Sequence, residues 1–97
     1  MYTIDSTIRT QPFNQLNVQK LVKNDALEIL SISLERDAIF PEHTSPKDAE
    51  LIVLEGDLVF HIDGKPYALK RQQHFSFPKH TVHWVEAKEN SKFLIVR

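Results

Sequence analysis

The stretch that decides the fold is Glu50-Leu-Ile-Val-Leu-Glu-Gly-Asp-Leu-Val-Phe-His-Ile-Asp-Gly-Lys65. Its first six residues are apolar on both faces in the middle, as in a central strand of a sheet. From Leu58 to Ile62, large apolar residues alternate with others, which predicts a strand with one buried face. Asp63-Gly64 follows, and this pair favours a type I′ turn, because both central residues of that turn need a positive φ. The stretch therefore predicts two strands, the second of which opens a tight hairpin.

Similar short runs occupy most of the chain on both sides of this stretch. They are Val18–Val22, Ala26–Leu34, Ile39–Thr44, Tyr67–Lys70, Phe75–Phe77, Thr81–Glu86 and Phe93–Val96. The spacing of apolar residues in the first run does not distinguish a helix from a strand, and we favour strand. About eight to nine short strands separated by regular turns predict an all-β sandwich or barrel.

The length of 97 residues predicts a single domain, residues 1–97. Residues 26–97 carry the strand pattern of the barrel. Residues 1–25 form an N-terminal segment that could be an edge strand or a dimer contact. Its first 17 residues are irregular and could be a loop, a short edge strand or a segment lent to a partner chain. Because the core of so short a chain is thin, we expect a homodimer that uses residues before Leu30.

Composition excludes several classes of function. Twelve Lys and Arg nearly balance thirteen Asp and Glu, so no basic surface for nucleic acid is expected. The absence of cysteine excludes disulfides, thiolate nucleophiles and cysteine-ligated zinc. No apolar run reaches the length of a membrane span or a signal peptide, which favours a soluble, cytoplasmic protein without a membrane partner.

Two segments resemble the two conserved motifs of the cupin superfamily. The first, from Asp37 to Gly56, matches a motif with two His two positions apart, a Glu and a final Gly. The second, from Gln72 to Ala87, matches a motif with a Pro and a later His, which here are Pro78 and His83. The resemblance covers the chain from about Leu27 onward. It implies a double-stranded β-helix barrel of the jelly-roll type, enclosing a pocket.

The same resemblance implies a degenerate metal site. In the family, both His and the Glu of the first motif and the His of the second hold one divalent metal. His43 and His83 match two of these ligands, whereas Ser45 and Ala49 stand in the other two positions. Two imidazoles completed by water would bind Fe, Mn, Ni or Zn only weakly.

Three functions stay open at this point. The preferred one is a small-molecule binding protein, and the pocket residues expected from the resemblance and from strand parity are His43, Ser45, Ala49, Leu51, Val53, His83 and Val85. The second is a metal-dependent enzyme, a dioxygenase or an isomerase, in which His43 and His83 hold the ion. The third is a structural or regulatory module without catalysis. No catalytic residue is assigned, and a nucleophile–base pair of Ser45 and His83 has no orienting carboxylate.

Overall fold

The computed structural model of the chain describes all residues, 1–97, and is built almost entirely of strands. One short helix and nine strands follow in this order: α1 Thr7–Thr10, β1 Leu16–Lys23, β2 Glu28–Leu34, β3 Ile39–His43, β4 Ala49–Glu55, β5 Asp57–Ile62, β6 Lys65–Lys70, β7 His74–Phe77, β8 His83–Ala87 and β9 Ser91–Val96. The all-β prediction is confirmed. The longest helix has four residues, so no helix of the chain is long and apolar enough to cross a membrane.

The strands form two antiparallel sheets that face each other. One sheet has the order β1-β2-β9-β4-β7 and the other the order β3-β8-β5-β6. The inward side chains of both sheets make one core of 16 buried apolar residues, which includes Ile32, Leu51, Phe60 and Phe93. This is the double-stranded β-helix that the cupin resemblance implies. Alternation along each strand, with a period of two, separates the core from the outer faces.

Two turns show why particular residues are needed. Asp63 and Gly64 both have positive φ, 54° and 71°, as the predicted hairpin requires. Gly56, between β4 and β5, has a φ of 98°. A Cβ there would lie 2.3 Å from Oγ of Ser91 and 2.5 Å from the carbonyl oxygen of Asn90, so only glycine fits.

The N-terminal segment covers the outer face of β2. Leu16–Lys23 is the edge strand of the five-stranded sheet, and the residues before it fold back over Ser31 and Ser33, which are fully buried. Gln11 bonds to Ser31, and the hydroxyl of Ser33 donates to the carbonyl of Pro12. Much of this segment is therefore occupied within its own chain, and the expected homodimer stays a prediction.

Candidate functional site

Two histidines meet at the inner face of the four-stranded sheet. His43 ends β3, and His83 begins β8, and the two residues are register partners in the antiparallel ladder. Their rings are 4.2 Å apart between centroids and lie edge to face at 68°. The ladder slips between Phe40 and His43, where Pro41 lacks an N–H. Strand pairing therefore brings together two residues that are 40 positions apart in the sequence.

The hydrogen bonds of these rings leave one nitrogen of each available. Nδ1 of His43 lies 2.6 Å from the carbonyl oxygen of Pro41, and Nδ1 of His83 lies 2.9 Å from that of Thr81. Because a carbonyl can only accept, each Nδ1 carries the proton, and in the neutral ring Nε2 is an acceptor. Neither Nε2 has a hydrogen-bond partner within the protein.

His83 is 2% exposed, yet its Nε2 is not sealed in. No fully buried side-chain nitrogen or oxygen in the chain lacks a hydrogen-bond partner. Since Nε2 of His83 has none, this atom keeps some accessible surface, and its ring lines a cavity between the sheets. The ring also packs against Phe60 and Phe77, with centroids 5.2 and 4.7 Å away.

Burial lowers the pKa of His83 below the ordinary value of 6.5. Desolvation is the main cause, because apolar surroundings disfavour the imidazolium. The hydrogen bond to the Thr81 carbonyl acts in the opposite direction, and the neighbouring His43 and Arg97 add smaller lowering contributions. His83 is therefore neutral at pH 7, with Nε2 as an acceptor.

Arg97 is the charged residue of the site and was not among the site residues predicted from the sequence. It follows β9, and its side chain is 19% exposed. Its Nε donates to Glu28 over 2.7 Å, and its Nη1 donates to Oγ of Ser45 over 3.1 Å. Phe93 and Ile95 are alternate residues of β9 and point inward. Arg97 is the next residue in this alternation, so continuing the pattern beyond the apolar run would have predicted an inward side chain.

The partners of Arg97 hold the guanidinium in place. Glu28, with a side chain 9% exposed, also lies 3.6 Å from Nζ of Lys23. The hydrogen bond from Arg97 is the main reason that the pKa of Glu28 is lowered. Ser45 is 1% exposed, and its hydroxyl donates to the carbonyl of Lys47 over 2.6 Å. Ser45 therefore supports Arg97 and does not bond to either histidine.

A cavity of about 110 Å³ lies between the two sheets beside these groups. Its polar lining consists of His43, Thr44, His83 and Arg97, and its apolar lining consists of Leu30, Ile32, Phe40, Leu51, Phe60, Val85, Phe93 and Ile95. Buried residues such as Leu51 and Val85 form the floor, whereas the exposed Thr44 marks the mouth.

Of the seven predicted pocket residues, four line this cavity: His43, Leu51, His83 and Val85. Ser45, Ala49 and Val53 are buried but do not line the cavity. Ala49 pairs with Phe77, whose ring packs on His83. Val53 pairs with Phe93, which takes the lining position instead.

The residues present do not fit the four-ligand metal site of the family, as the two substituted motif positions predict. No group of three or more His, Cys, Asp or Glu side chains comes together anywhere in the chain. Only His43 and His83 offer nitrogens, Ser45 bonds to Arg97, and Ala49 has no donor atom. A fixed guanidinium beside the two rings also disfavours a second cation by charge repulsion. A metal held weakly by the two imidazoles stays a prediction.

The other histidines and Glu50 lie away from the cavity. His61 stacks on Trp84 with centroids 3.7 Å apart and bonds to Glu86 on the outer face. His74 contacts the half-buried Glu50, and His80 is exposed in a turn with a φ of 60°. Alternation along β5 and β4 explains why His61 and Glu50 lie on the outer faces of their strands.

Comparison with known proteins shows the family. A family model described as a cupin domain matches residues 31–96. No match was found among curated proteins. A conserved protein of unknown function from Streptococcus pyogenes is 28% identical, with a TM-score of 0.80, over 98% of this chain and 84% of that one.

Two further solved structures share the fold at lower identity. An RmlC-like cupin protein from Desulfovibrio desulfuricans is 20% identical, with a TM-score of 0.87, over 99% of this chain and 95% of that one. An RmlC-like cupin family protein with a double-stranded β-helix fold, from Methanocaldococcus jannaschii, is 22% identical, with a TM-score of 0.81, over 91% of this chain and 84% of that one.

Proposed function

Since this chain belongs to the cupin domain family, we propose that it binds a small organic molecule in the cavity between its sheets, with His43 and His83 as polar anchors. The observation that carries the proposal is Nε2 of His83. A ring that is 2% exposed keeps one nitrogen without a protein partner and open to the cavity. An acceptor at the wall of an apolar cavity that the protein leaves unpaired is free to accept a hydrogen bond from a ligand or from water.

The walls support a small organic ligand. Eight of the twelve lining residues are hydrophobic, and the few polar groups gather on one side of the cavity. This is the common pattern of small-molecule sites, in which apolar walls provide contact area and a few polar groups fix orientation. A volume of about 110 Å³ corresponds to about four water molecules, so the ligand, or the part of it that enters, is small.

Binding without a complete metal shell is favoured over the metal-dependent enzyme. Ser45, in a ligand position of the family, bonds to Arg97 and to the carbonyl of Lys47 and points no oxygen at His43 or His83. The site therefore offers a fixed cation and two imidazole acceptors, which suit hydrogen bonding to a ligand. No arrangement of nucleophile, base and orienting carboxylate accompanies them, so we assign no reaction.

The test is a screen of small polar fragments against wild type and two matched variants, read by the NMR signals of the histidine side chains. Leu51→Phe adds volume to the cavity floor, while Ile52→Phe adds the same group to the next residue of β4, which faces outward and is 36% exposed. Fragments that shift the His83 signals of wild type should bind Ile52→Phe equally and lose at least tenfold in affinity for Leu51→Phe. Equal binding to all three proteins would exclude the cavity as the site.

A further inference from the structure

The guanidinium of Arg97 is oriented so that part of it remains available to a ligand. Its Nε and Nη1 are held by Glu28 and Ser45, at 2.7 and 3.1 Å. A guanidinium has five N–H donors in one plane, and these two contacts use two of them. Nη2 has no hydrogen-bond partner in the protein, and Arg97 lines the cavity. The side chain is thus fixed by two partners and presents unused donors.

The charge around this group is unbalanced in favour of an anion. Among the side chains there, Arg97 and Lys23 carry two positive charges against the single carboxylate of Glu28 that both contact. None of the twelve residues that line the cavity is acidic. A cation at the wall of a largely apolar cavity attracts a negative group more strongly than it would in water, because the surroundings screen it less.

The two imidazoles require the opposite partner. Nδ1 of His43 and of His83 donates to a backbone carbonyl, so Nε2 of each neutral ring accepts a hydrogen bond. A ligand that satisfies the whole polar side of the cavity must therefore carry an anionic acceptor for Arg97 and a hydrogen-bond donor for an imidazole.

From this pairing, and resting on the proposed function, we infer that the ligand is a small hydroxycarboxylate. Its carboxylate binds the open donors of Arg97, and its hydroxyl donates to Nε2 of His83. A carboxylate matches the planar donors of a guanidinium. The short carbon chain lies against the apolar wall of Leu30, Ile32 and Ile95. The cavity, with a volume near that of four water molecules, accommodates an acid of about three or four carbons.

The competing interpretation is that Arg97 only ties β9 to β2. Its backbone already exchanges both hydrogen bonds with Glu28, at 2.9 and 2.7 Å, so the strands are joined without the side chain. A purely structural Arg97 would affect stability and leave the selectivity among probes unchanged.

The experiment compares four probes on wild type: lactate, propionate, lactamide and inorganic phosphate, titrated by calorimetry and followed by the NMR signals of His83. Lactate should bind at least ten times more tightly than lactamide, which lacks the charge, and several times more tightly than propionate, which lacks the hydroxyl. Phosphate should bind more weakly than lactate, because it has no carbon chain to contact the apolar wall.

Variants then assign the selectivity to Arg97. Arg97→Gln should lower lactate affinity at least tenfold and leave lactamide unchanged, and Arg97→Lys should fall between wild type and Arg97→Gln. Arg71→Gln, which removes an exposed arginine from the β6–β7 turn, should match wild type. If Arg97→Gln does not fold, as judged by circular dichroism, the selectivity of wild type among the four probes decides whether the hydroxycarboxylate inference holds.

Each contrary result has its own meaning. Equal affinity for lactate and lactamide, tighter binding of propionate or phosphate than of lactate, or lactate affinity unchanged in Arg97→Gln would overturn the hydroxycarboxylate inference. The proposed function would survive these results if probe binding is still lost in Leu51→Phe. Failure of all four probes to bind wild type overturns the inference, and a fragment screen that also finds no ligand in the cavity removes the proposed function with it.

Discussion

One buried polar cluster lies on the outer face of the five-stranded sheet and another lies between the two sheets, and they differ in how many of their polar atoms have hydrogen-bond partners in the protein. The outer cluster consists of Gln11, Ser31, Ser33 and Lys92, each at most 6% exposed. The Ser31 hydroxyl donates to the Gln11 side chain over 2.6 Å, and Nζ of Lys92 donates to the carbonyl of Ile8 over 2.7 Å. All of its polar side chains are hydrogen-bonded inside the protein.

The inner cluster of His43, His83 and Arg97 is held just as firmly but leaves atoms open. Backbone carbonyls, Glu28 and Ser45 fix the three side chains, while both Nε2 atoms and Nη2 have no protein partner. The contrast teaches that buried polarity alone does not mark a functional site. Fixed orientation together with unused donors and acceptors does, because the remaining groups can be satisfied only by a ligand or by water.

The largest effect should come from converting the inner cluster into a full metal site. Ser45→His with Ala49→Glu supplies the two missing ligands, and Arg97→Gln removes the cation beside them. At a Zn²⁺ or Ni²⁺ concentration about one hundred times the Kd of the triple variant, that variant should gain about 3 kcal/mol in unfolding free energy. The double variant that keeps Arg97 should gain less. Thermal melts with and without metal provide the measurement, and an equal gain by wild type would mean that a complete metal site already exists.

Breaking the outer cluster should affect stability and spare binding. Gln11→Ala leaves the buried hydroxyl of Ser31 without its acceptor, which should lower the unfolding free energy by about 2 kcal/mol. Gln19→Ala, at an exposed position that bonds only to Asn17, is the control and should cost under about 0.5 kcal/mol. Urea denaturation measures both. A loss of probe binding in Gln11→Ala without unfolding would show that the two clusters are coupled.

Lys92→Met should release the N-terminal segment in particular. Nζ of Lys92 donates to the carbonyls of Ile8 and Arg9, and it lies 5.1 Å from the ring centroid of Phe13. Met keeps the apolar stem and loses these bonds, so the expected loss is about 1–2 kcal/mol. Hydrogen exchange should speed up in residues 7–13 and remain slow in β4. Uniformly faster exchange would contradict a local role.

The smallest effect on stability should come from His83→Phe, which makes the inner cluster apolar. At pH 7 the variant should lie within about 1 kcal/mol of wild type, because a neutral ring with one hydrogen bond is replaced by an apolar ring among Phe60 and Phe77. Lactate affinity, measured by calorimetry, should nevertheless fall several-fold, to about that of propionate. A destabilisation above about 3 kcal/mol would show that the His83 ring is needed for the fold.

The same variant tests the lowered pKa of His83. Below pH 6.5 the unfolded chain takes up a proton that the folded His83 refuses, so this residue's contribution to stability is present above pH 6.5 and is lost as the pH falls toward the folded pKa. Wild type should therefore lose up to about 1.4 kcal/mol per pH unit more than His83→Phe across that interval. Parallel stability curves for the two proteins would mean that the pKa is not lowered.

The sequence by itself determined the strands, the Asp63-Gly64 hairpin and the inward parity of His43 and His83. These follow from local patterns: a period of two places alternate residues on one face, and a two-residue turn needs positive φ. It also identified Ser45 and Ala49 as departures from the metal ligands of the family, because motif positions can be read directly from the chain.

Only the tertiary structure decided what replaces the missing ligands. Arg97 meets Glu28 and Ser45 across 69 and 52 residues, through the pairing of β2 with β9 and the approach of the β3–β4 connection. The role of the N-terminal segment could not be predicted from the sequence either. Ser31 and Ser33 alternate with apolar residues as on a solvent-exposed face, yet Gln11 and Pro12 cover them. Local patterns fix the face on which a side chain lies. Which distant segment packs against that face depends on the free energy of the whole fold, so it does not appear in any stretch of the sequence.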